Sequence, residues 1–330
     1  MNFLDSAISP LGLGCWPIGG EMYAADGTSL GYSNADDQES LRAIHAALAN
    51  GISLFDTAAA YGAGHSERLL AKALGGRPDA RIVTKIGIEI DENSKRLLGA
   101  EVEAVKILPA IEQSLRRLGR DCIDLLLLHQ NGLSLEQAEP VFDEMEKALQ
   151  SGKISGFGWS TDFTASAAAM AERSGFVAVE HAMHVLMDAP KMQATVEQHQ
   201  LLALIRSPLA MGLLSGKYST SSTLPETDVR ATNPGWAKYY VNGKPNPEYM
   251  KRFDAVSTLL QIDGRSTVQG ALAWLWAKSP LNIPLPGART VKQVEELAAA
   301  RAYGALPAST MDEIAELVGG VGESDGCSER

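Results

Sequence analysis

Along this chain, short runs of mostly apolar residues alternate with longer stretches in which apolar positions recur every three or four residues. The short runs fall at 11–16, 53–56, 81–85, 123–129, 154–160, 176–180, 201–206 and 282–286, and each predicts a strand. The stretches between them, such as DDQESLRAIHAALANG (36–51), EVEAVKILPAIEQSLRRLG (101–119) and LSLEQAEPVFDEMEKALQSG (133–152), predict amphipathic helices. In the first, Leu41, Ile44 and Leu48 form the apolar stripe, Asn34 stands as the cap and Gly51 ends the helix. Eight strands, each trailed by a helix, predict one α/β domain, a (β/α)8 TIM barrel of parallel strands. An open doubly wound sheet would carry GxGxxG after its first strand; none occurs there, which favours the barrel.

One segment interrupts the rhythm. Residues 215–247 form a long, polar excursion after the seventh strand, and loops of that length are commonly lids or binding loops. Trp236, Tyr239 and Tyr240 within it are expected to be exposed aromatics that need a partner. The barrel is assigned to 1–310 and a C-terminal segment to 311–330, whose end, GESDGCSER, reads as disordered.

Composition narrows the function classes. Cys15, Cys122 and Cys327 show no CxxC or Cys/His spacing, so neither a disulfide framework nor a bound metal is expected. Free thiols suit a reducing, cytoplasmic setting. Forty acidic against 29 basic residues leave a net charge of −11 with no basic stripe, which argues against a nucleic-acid partner. The most apolar helix candidate, VQGALAWLWA, is too short to span a bilayer and reads as a buried helix. There is no basic start followed by an apolar stretch at the N-terminus.

The chemistry comes from strand ends. In such a barrel the C-terminal ends of the strands face the site. Asp56 closes SLFD, Lys85 closes RIVTK, His129 closes IDLLLLH, and Tyr61 stands in the loop after Asp56. Singly, each has an ordinary structural role: a cap, a solvated lysine, a satisfied histidine, a packing tyrosine. Together at one barrel mouth they point to a site. A buried Lys85 and Asp56 are expected to pair, because neither is stable there alone. A free phenol has a pKa of roughly 10, and a neighbouring ammonium is expected to lower that of Tyr61. Tyr61 then serves as a proton donor to a carbonyl oxygen that His129 orients.

The segments FDTAAAYGAGHSERLLAKAL, VTKIG, LLLLHQN, SPLAMGLLSGKY and IPLPGARTVKQVEE resemble the aldo-keto reductases in order and spacing, from about residue 11 to about residue 300. The resemblance implies NAD(P)H-dependent carbonyl reduction without metal, with a tetrad at Asp56, Tyr61, Lys85 and His129. It implies that Arg289 grips a 2′-phosphate, giving an NADP(H) preference, with Gly287, Gln293 and Glu296 beside it. It places Ser207, Leu209, Gly212 and Lys217 along the pyrophosphate, and Trp16, Ser160, Glu180 and Arg206 around the nicotinamide. Phosphate sites of this kind also use the start of the helix after the last strand.

The chain departs from the family pattern at several cofactor positions. Thr161 and Asp162 follow Ser160 where a Ser-Asn pair is usual, and Glu180 stands for Gln. Arg206 replaces a stacking tyrosine, and its charge is expected to disfavour an oxidised, cationic ring. Leu297 replaces an Asn near adenine. Trp16, Tyr23, Gln130, Asn131, Trp236 and Tyr239 are expected to line the substrate pocket, a mixed lining suited to a sugar or another small carbonyl. Two further readings stay open: a Schiff-base enzyme with Lys85 as nucleophile, and a cofactor-binding redox sensor like the family's potassium channel β subunits.

Overall fold

The computed structural model describes residues 2–3, 6–236 and 238–318; the acidic tail, with Cys327, lies outside the described residues. Eight parallel strands follow in chain order around the sheet: β1 (Gly12–Gly14), β2 (Leu54–Asp56), β3 (Arg81–Ile86), β4 (Leu125–Leu128), β5 (Phe157–Ser160), β6 (Phe176–Ala182), β7 (Leu202–Arg206) and β8 (Asn282–Pro284). The ring closes where Gly14 bridges Gly287 and the Gly14 amide donates to Pro286 O at 3.0 Å. A Cβ on Gly14 would stand 2.6 Å from Leu285 O, so only glycine lets the first and last strands meet.

Alternation along the strands separates two apolar layers. Leu54, Val83, Leu125, Leu127, Ala178, Leu204 and Ile283 form one cluster that fills the barrel. Phe55, Ile82, Leu126, Leu128, Val179 and Ile205 belong to the larger cluster shared with the helices. That outer layer covers the sheet with α1 (Asp37–Ala49), α2 (His65–Leu74), α3 (Ala104–Leu118), α4 (Leu135–Gln150), α5 (Thr164–Met170), α6 (Pro190–Gln198), α7 (Pro247–Leu260), α8 (Thr267–Lys278) and α9 (Val291–Ala299). The run VQGALAWLWA lies in α8, which is buried nearly all round. A last helix, α10 (Ala308–Val318), buries Ile314 and Val318. No helix among the described residues is long and apolar enough to cross a membrane.

All eight expected strands are present, with ends moved by a few residues. The cap of α1 is Asp36, not Asn34: Asp36 is extended and its carboxylate accepts from Glu39 N at 2.7 Å, whereas Asn34 turns at φ 58. The excursion is folded rather than a plain loop. It contains a 3-10 turn at Val229–Ala231 and a hairpin pairing Tyr240–Val241 with Lys244–Pro245. Tyr239 and Tyr240 are only 2% exposed each, so they are core residues of the excursion and not the free aromatics expected. A second hairpin, Ile88–Asp91 with Arg96–Ala100, follows β3 and adds Tyr23–Ala24 as a third strand at the rim.

Candidate active site

Five strands deliver a polar side chain two residues beyond an apolar one that fills the barrel. Asp56 follows Leu54, Lys85 follows Val83, His129 follows Leu127, Glu180 follows Ala178 and Arg206 follows Leu204. A period of two keeps each on the interior face, one layer nearer the mouth. Tyr61 comes from a compressed turn in which Gly62, Ala63 and Gly64 are all left-handed, at φ 62, 49 and 87. At Gly62 a Cβ would stand 2.0 Å from Gly19 O, so the turn lies directly on the β1 loop. Beneath it, Thr57 Oγ1 donates to Ser66 Oγ at 2.8 Å, and Ser66 Oγ donates to Cys15 O at 3.1 Å. Glu67, fully buried, accepts from Thr84 Oγ1 at 2.6 Å and from Arg117 Nε at 2.5 Å. The SE pair of the HSE segment is thus a brace for the loop that carries Tyr61.

The expected ion pair forms. Lys85 Nζ lies 2.5 Å from Asp56 Oδ1, donates to Thr57 O at 3.0 Å and to the Tyr61 hydroxyl at 3.4 Å. A second carboxylate also meets it: Glu180 Oε2 is 3.1 Å from Nζ, while Glu180 Oε1 accepts from Ser160 Oγ at 3.2 Å. The Tyr61 ring lies parallel to Trp16 (centroids 5.9 Å apart, 13°) and meets His129 edge-on at 6.0 Å.

The electrostatic balance differs from the sequence expectation. Burial pushes the Tyr61 phenol up; Lys85 pulls it down, but Asp56 and Glu180 push it up again, and it ends above the ordinary tyrosine value. The Lys85 ammonium alone does not activate Tyr61: burial first, and then the two acids, outweigh its pull. For Lys85, burial works against the ammonium, but Asp56 and then Glu180 more than offset it and hold it protonated. Asp56 lies well above the usual carboxylate value, through burial first and then repulsion from Glu180.

From Tyr61 a cavity of about 400 Å³ runs across the mouth. Trp16, Ser160, Glu180 and Arg206 line one end with Asp56, Tyr61 and His129. Ser207, Leu209, Gly212 and Lys217 line its β7 side, and Gly287, Arg289, Gln293, Glu296 and Leu297 its β8 side. All twelve residues named for the cofactor therefore border one groove. The start of α9 is largely satisfied by this chain itself. Arg289 N donates to Gln293 Oε1 at 3.0 Å, Val291 N to Glu39 Oε1 at 3.1 Å and Gln293 N to Thr290 Oγ1 at 3.3 Å. The amides of Arg289, Val291 and Gln293 are thus already engaged, where the sequence analysis expected the helix start to be open to a phosphate. The Arg289 guanidinium donates to Ser33 O across the groove.

Some expected roles change. Trp236 and Tyr239 line the cavity, but Tyr23, Gln130 and Asn131 do not. Tyr23 is tied into the rim strand. Gln130 donates from Nε2 to Gly87 O at 2.7 Å and accepts Trp159 Nε1 on its carbonyl at 2.8 Å. Asn131 accepts Asp162 N on Oδ1 at 2.7 Å and Thr161 Oγ1 on its carbonyl at 2.7 Å. In their place Met22, Leu30, Ile88 and Leu97 line the cavity, making it more apolar than the sequence suggested. Arg206 is paired with the fully buried Asp162, whose Oδ1 also accepts Ala182 N at 2.8 Å. The pair cancels the positive charge expected to disfavour an oxidised ring.

Sequence reasoning missed Arg230, which also borders the cavity. Its guanidinium pairs with Asp228 at 2.7 Å and lies over the rings of Tyr32, Tyr218 and Tyr240 at 5.0, 5.6 and 5.4 Å. Asp228 Oδ2 accepts from Ser33 Oγ at 3.1 Å, Val229 N donates to Gly31 O at 2.8 Å, and Ser29 Oγ to Thr227 O at 2.6 Å. The excursion is thereby fastened to residues 29–33 across the groove. The DVR triplet and the three tyrosines were the available signal, but only the fold gathers them.

A barrel with these strand-end residues is a scaffold shared by known enzymes, and comparison gives the class. The sequence model described as Aldo/keto reductase family matches residues 10–318. The chain belongs to the aldo/keto reductase family, a family of oxidoreductases. It is 29% identical over 305 residues to Aldo-keto reductase YhdN of Bacillus subtilis, covering 88% of this chain and 84% of that one. It is 28% identical over 271 residues to a Schizosaccharomyces pombe aldo-keto reductase, yakc, whose name specifies NADP(+), covering 79% and 76%. Among solved structures, the glycerol dehydrogenase AKR11B4 from Gluconobacter oxydans superposes with a TM-score of 0.79 at 28% identity, covering 95% of this chain and 92% of that one.

Proposed function

We propose that this protein is an NADP(H)-dependent reductase of aldehydes or ketones in which Tyr61 gives the proton. The observation that carries the reading is the Asp56–Lys85–Tyr61 contact at the end of a groove along which Lys217 and Arg289 stand. The donor set fits a phosphorylated dinucleotide: cations and hydroxyls along the groove, and Ser160 and Glu180 as polar partners at the Tyr61 end. Bound there, the cofactor supplies the hydride. The Arg289 guanidinium, which meets a backbone carbonyl, Ser33 O, would hold the 2′-phosphate with its planar fork. Tyr61 donates its proton to the carbonyl oxygen, and His129, edge-on to the same ring, helps to orient that oxygen. The kinship with an NADP(+)-named relative supports the cofactor.

Met22, Leu30, Ile88 and Leu97, with Trp16 and Trp236, favour a carbonyl bearing an apolar or aromatic group over a polyhydroxylated one. Lys85 does not fit the Schiff-base reading: a nucleophilic amine must be neutral, and two carboxylates hold this one charged. The test is tryptophan fluorescence titration with NADPH and NADH on the protein and on Arg289→Ala. NADPH is expected to bind more tightly, and the variant to lose about ten- to a hundredfold of that affinity, as for a charge-assisted contact. An aromatic aldehyde is expected to turn over faster than a tetrose. Tyr61→Phe is expected to lower kcat by roughly 10²- to 10⁴-fold with nucleotide affinity retained. Absence of nucleotide binding would refute the proposal.

A further inference from the structure

The tetrad does not account for Glu180. Its side chain is buried, borders the cavity and reaches the same ammonium as Asp56, from β6, on which no tetrad residue lies. The charge count around Tyr61 is therefore unusual. Among the described residues Lys85 is the cation in contact with the phenol, and two carboxylates lie on it at 2.5 and 3.1 Å. The other charges facing this end do not redress the balance. Arg206 from β7 is matched by Asp162 beyond β5. Cys15, after β1, is held as a thiol by burial first and by Asp56 second. His129 from β4 presents its ring edge-on to the phenol.

We propose that Glu180 is a positioning residue which, with Asp56, takes up the Lys85 ammonium and thereby keeps Tyr61 in its proton-bearing form, setting the site for carbonyl reduction over alcohol oxidation. The physical reason is local. A phenolate at Tyr61 would add a negative charge beside an ammonium that already faces two buried acids, and each unneutralised charge there is costly. Reduction begins with the phenol protonated: its O–H bond breaks as the carbonyl oxygen gains the proton and the carbonyl carbon gains the hydride. Oxidation runs in reverse and needs Tyr61 to begin without that proton. A neutral side chain at 180 removes one of the two competing acids and returns the Lys85 charge to the phenol. The overall equilibrium between carbonyl and alcohol is unchanged. What shifts is the pH at which each direction becomes fast. This rests on the reductase reading only for the kinetic consequence; the effect of Glu180 on Tyr61 is a property of the protein alone.

The test uses the protein with 13Cζ-labelled tyrosine and no cofactor, Tyr61→Phe assigning the Tyr61 resonance. In Glu180→Gln, Tyr61 is expected to ionise at lower pH than in the wild type, by about one pH unit or more. Glu180→Asp, which keeps the charge, is expected to titrate like the wild type. Glu180→Met supplies a second neutral variant should the amide fail to fold, with circular dichroism melts to check each. The rising limb of kcat/KM for alcohol oxidation against pH is expected to move down with the NMR titration in the neutral variants. An unchanged Tyr61 titration in both neutral variants, or an equal shift in Glu180→Asp, overturns the inference. If the wild type turns over neither carbonyl nor alcohol with NADP(H), the reductase reading fails while the NMR result still decides the role of Glu180.

Discussion

Lys85 shows how far a single residue can be read before folding. Its position at a strand end and its pairing with Asp56 follow from the pattern, because an interior lysine must find an acid. The direction of the Tyr61 shift does not follow, since burial and the Glu180 carboxylate enter only when the sheet closes and brings β6 to Lys85 on β3, three strands away. Replacing Lys85 with Met leaves two buried acids without a cation, and is expected to destabilise the fold by about 3–5 kcal/mol in urea unfolding. His184 offers a pH test. It is buried against Tyr239, with Nε2 and the Tyr239 hydroxyl 2.7 Å apart, and burial lowers its pKa to about 3. The unfolded histidine, with a pKa of roughly 6.5, binds more protons below that value than the folded one, so stability falls as pH drops. Between pH 7 and pH 5, the wild type is expected to lose about 2 kcal/mol more than His184→Gln, read from urea midpoints at each pH.

At the scale of elements, all eight strands were legible because short apolar runs bounded by turns survive burial in a parallel sheet. The excursion was not. It read as a polar lid or binding loop with exposed aromatics, yet Asp228 and Arg230 are buried together and tyrosines from three segments surround them. Such a cluster has no local signature, since Tyr32 is some 200 residues from its partner along the chain. Gln130 and Asn131, expected in the pocket lining, stand outside the cavity for a related reason: both side chains bond backbone groups of neighbouring loops. Asp228→Ala strands the Arg230 guanidinium. Its expected result is faster amide exchange across 227–232 and 29–33, with the barrel strands still protected, measured by mass spectrometry. Equal protection in both proteins would show that the Asp228–Arg230 pair does not hold the excursion down.

For the whole molecule, the family and the barrel were readable, but the way the barrel closes was not. A methyl group at Gly14 meets backbone at Leu285, which cannot swing aside as a side chain would. Gly14→Ala is expected to lower stability by roughly 1–3 kcal/mol, by the cost of forced overpacking, whereas Gly152→Ala, at a left-handed turn with open space, is expected to cost less. Denaturant unfolding of the two variants compares them directly.

The seam has a consequence for assembly. Its two edges lie at opposite ends of the chain, and every other neighbouring pair of strands is closer in sequence. Contacts between such distant segments close the longest loop in the ring and carry its largest closure cost. Gly14, Leu285 and Gly287 at this joint also border the groove. An occupant of the groove, touching both edges of the seam, would act as a latch across the joint whose closure spans the longest stretch of chain.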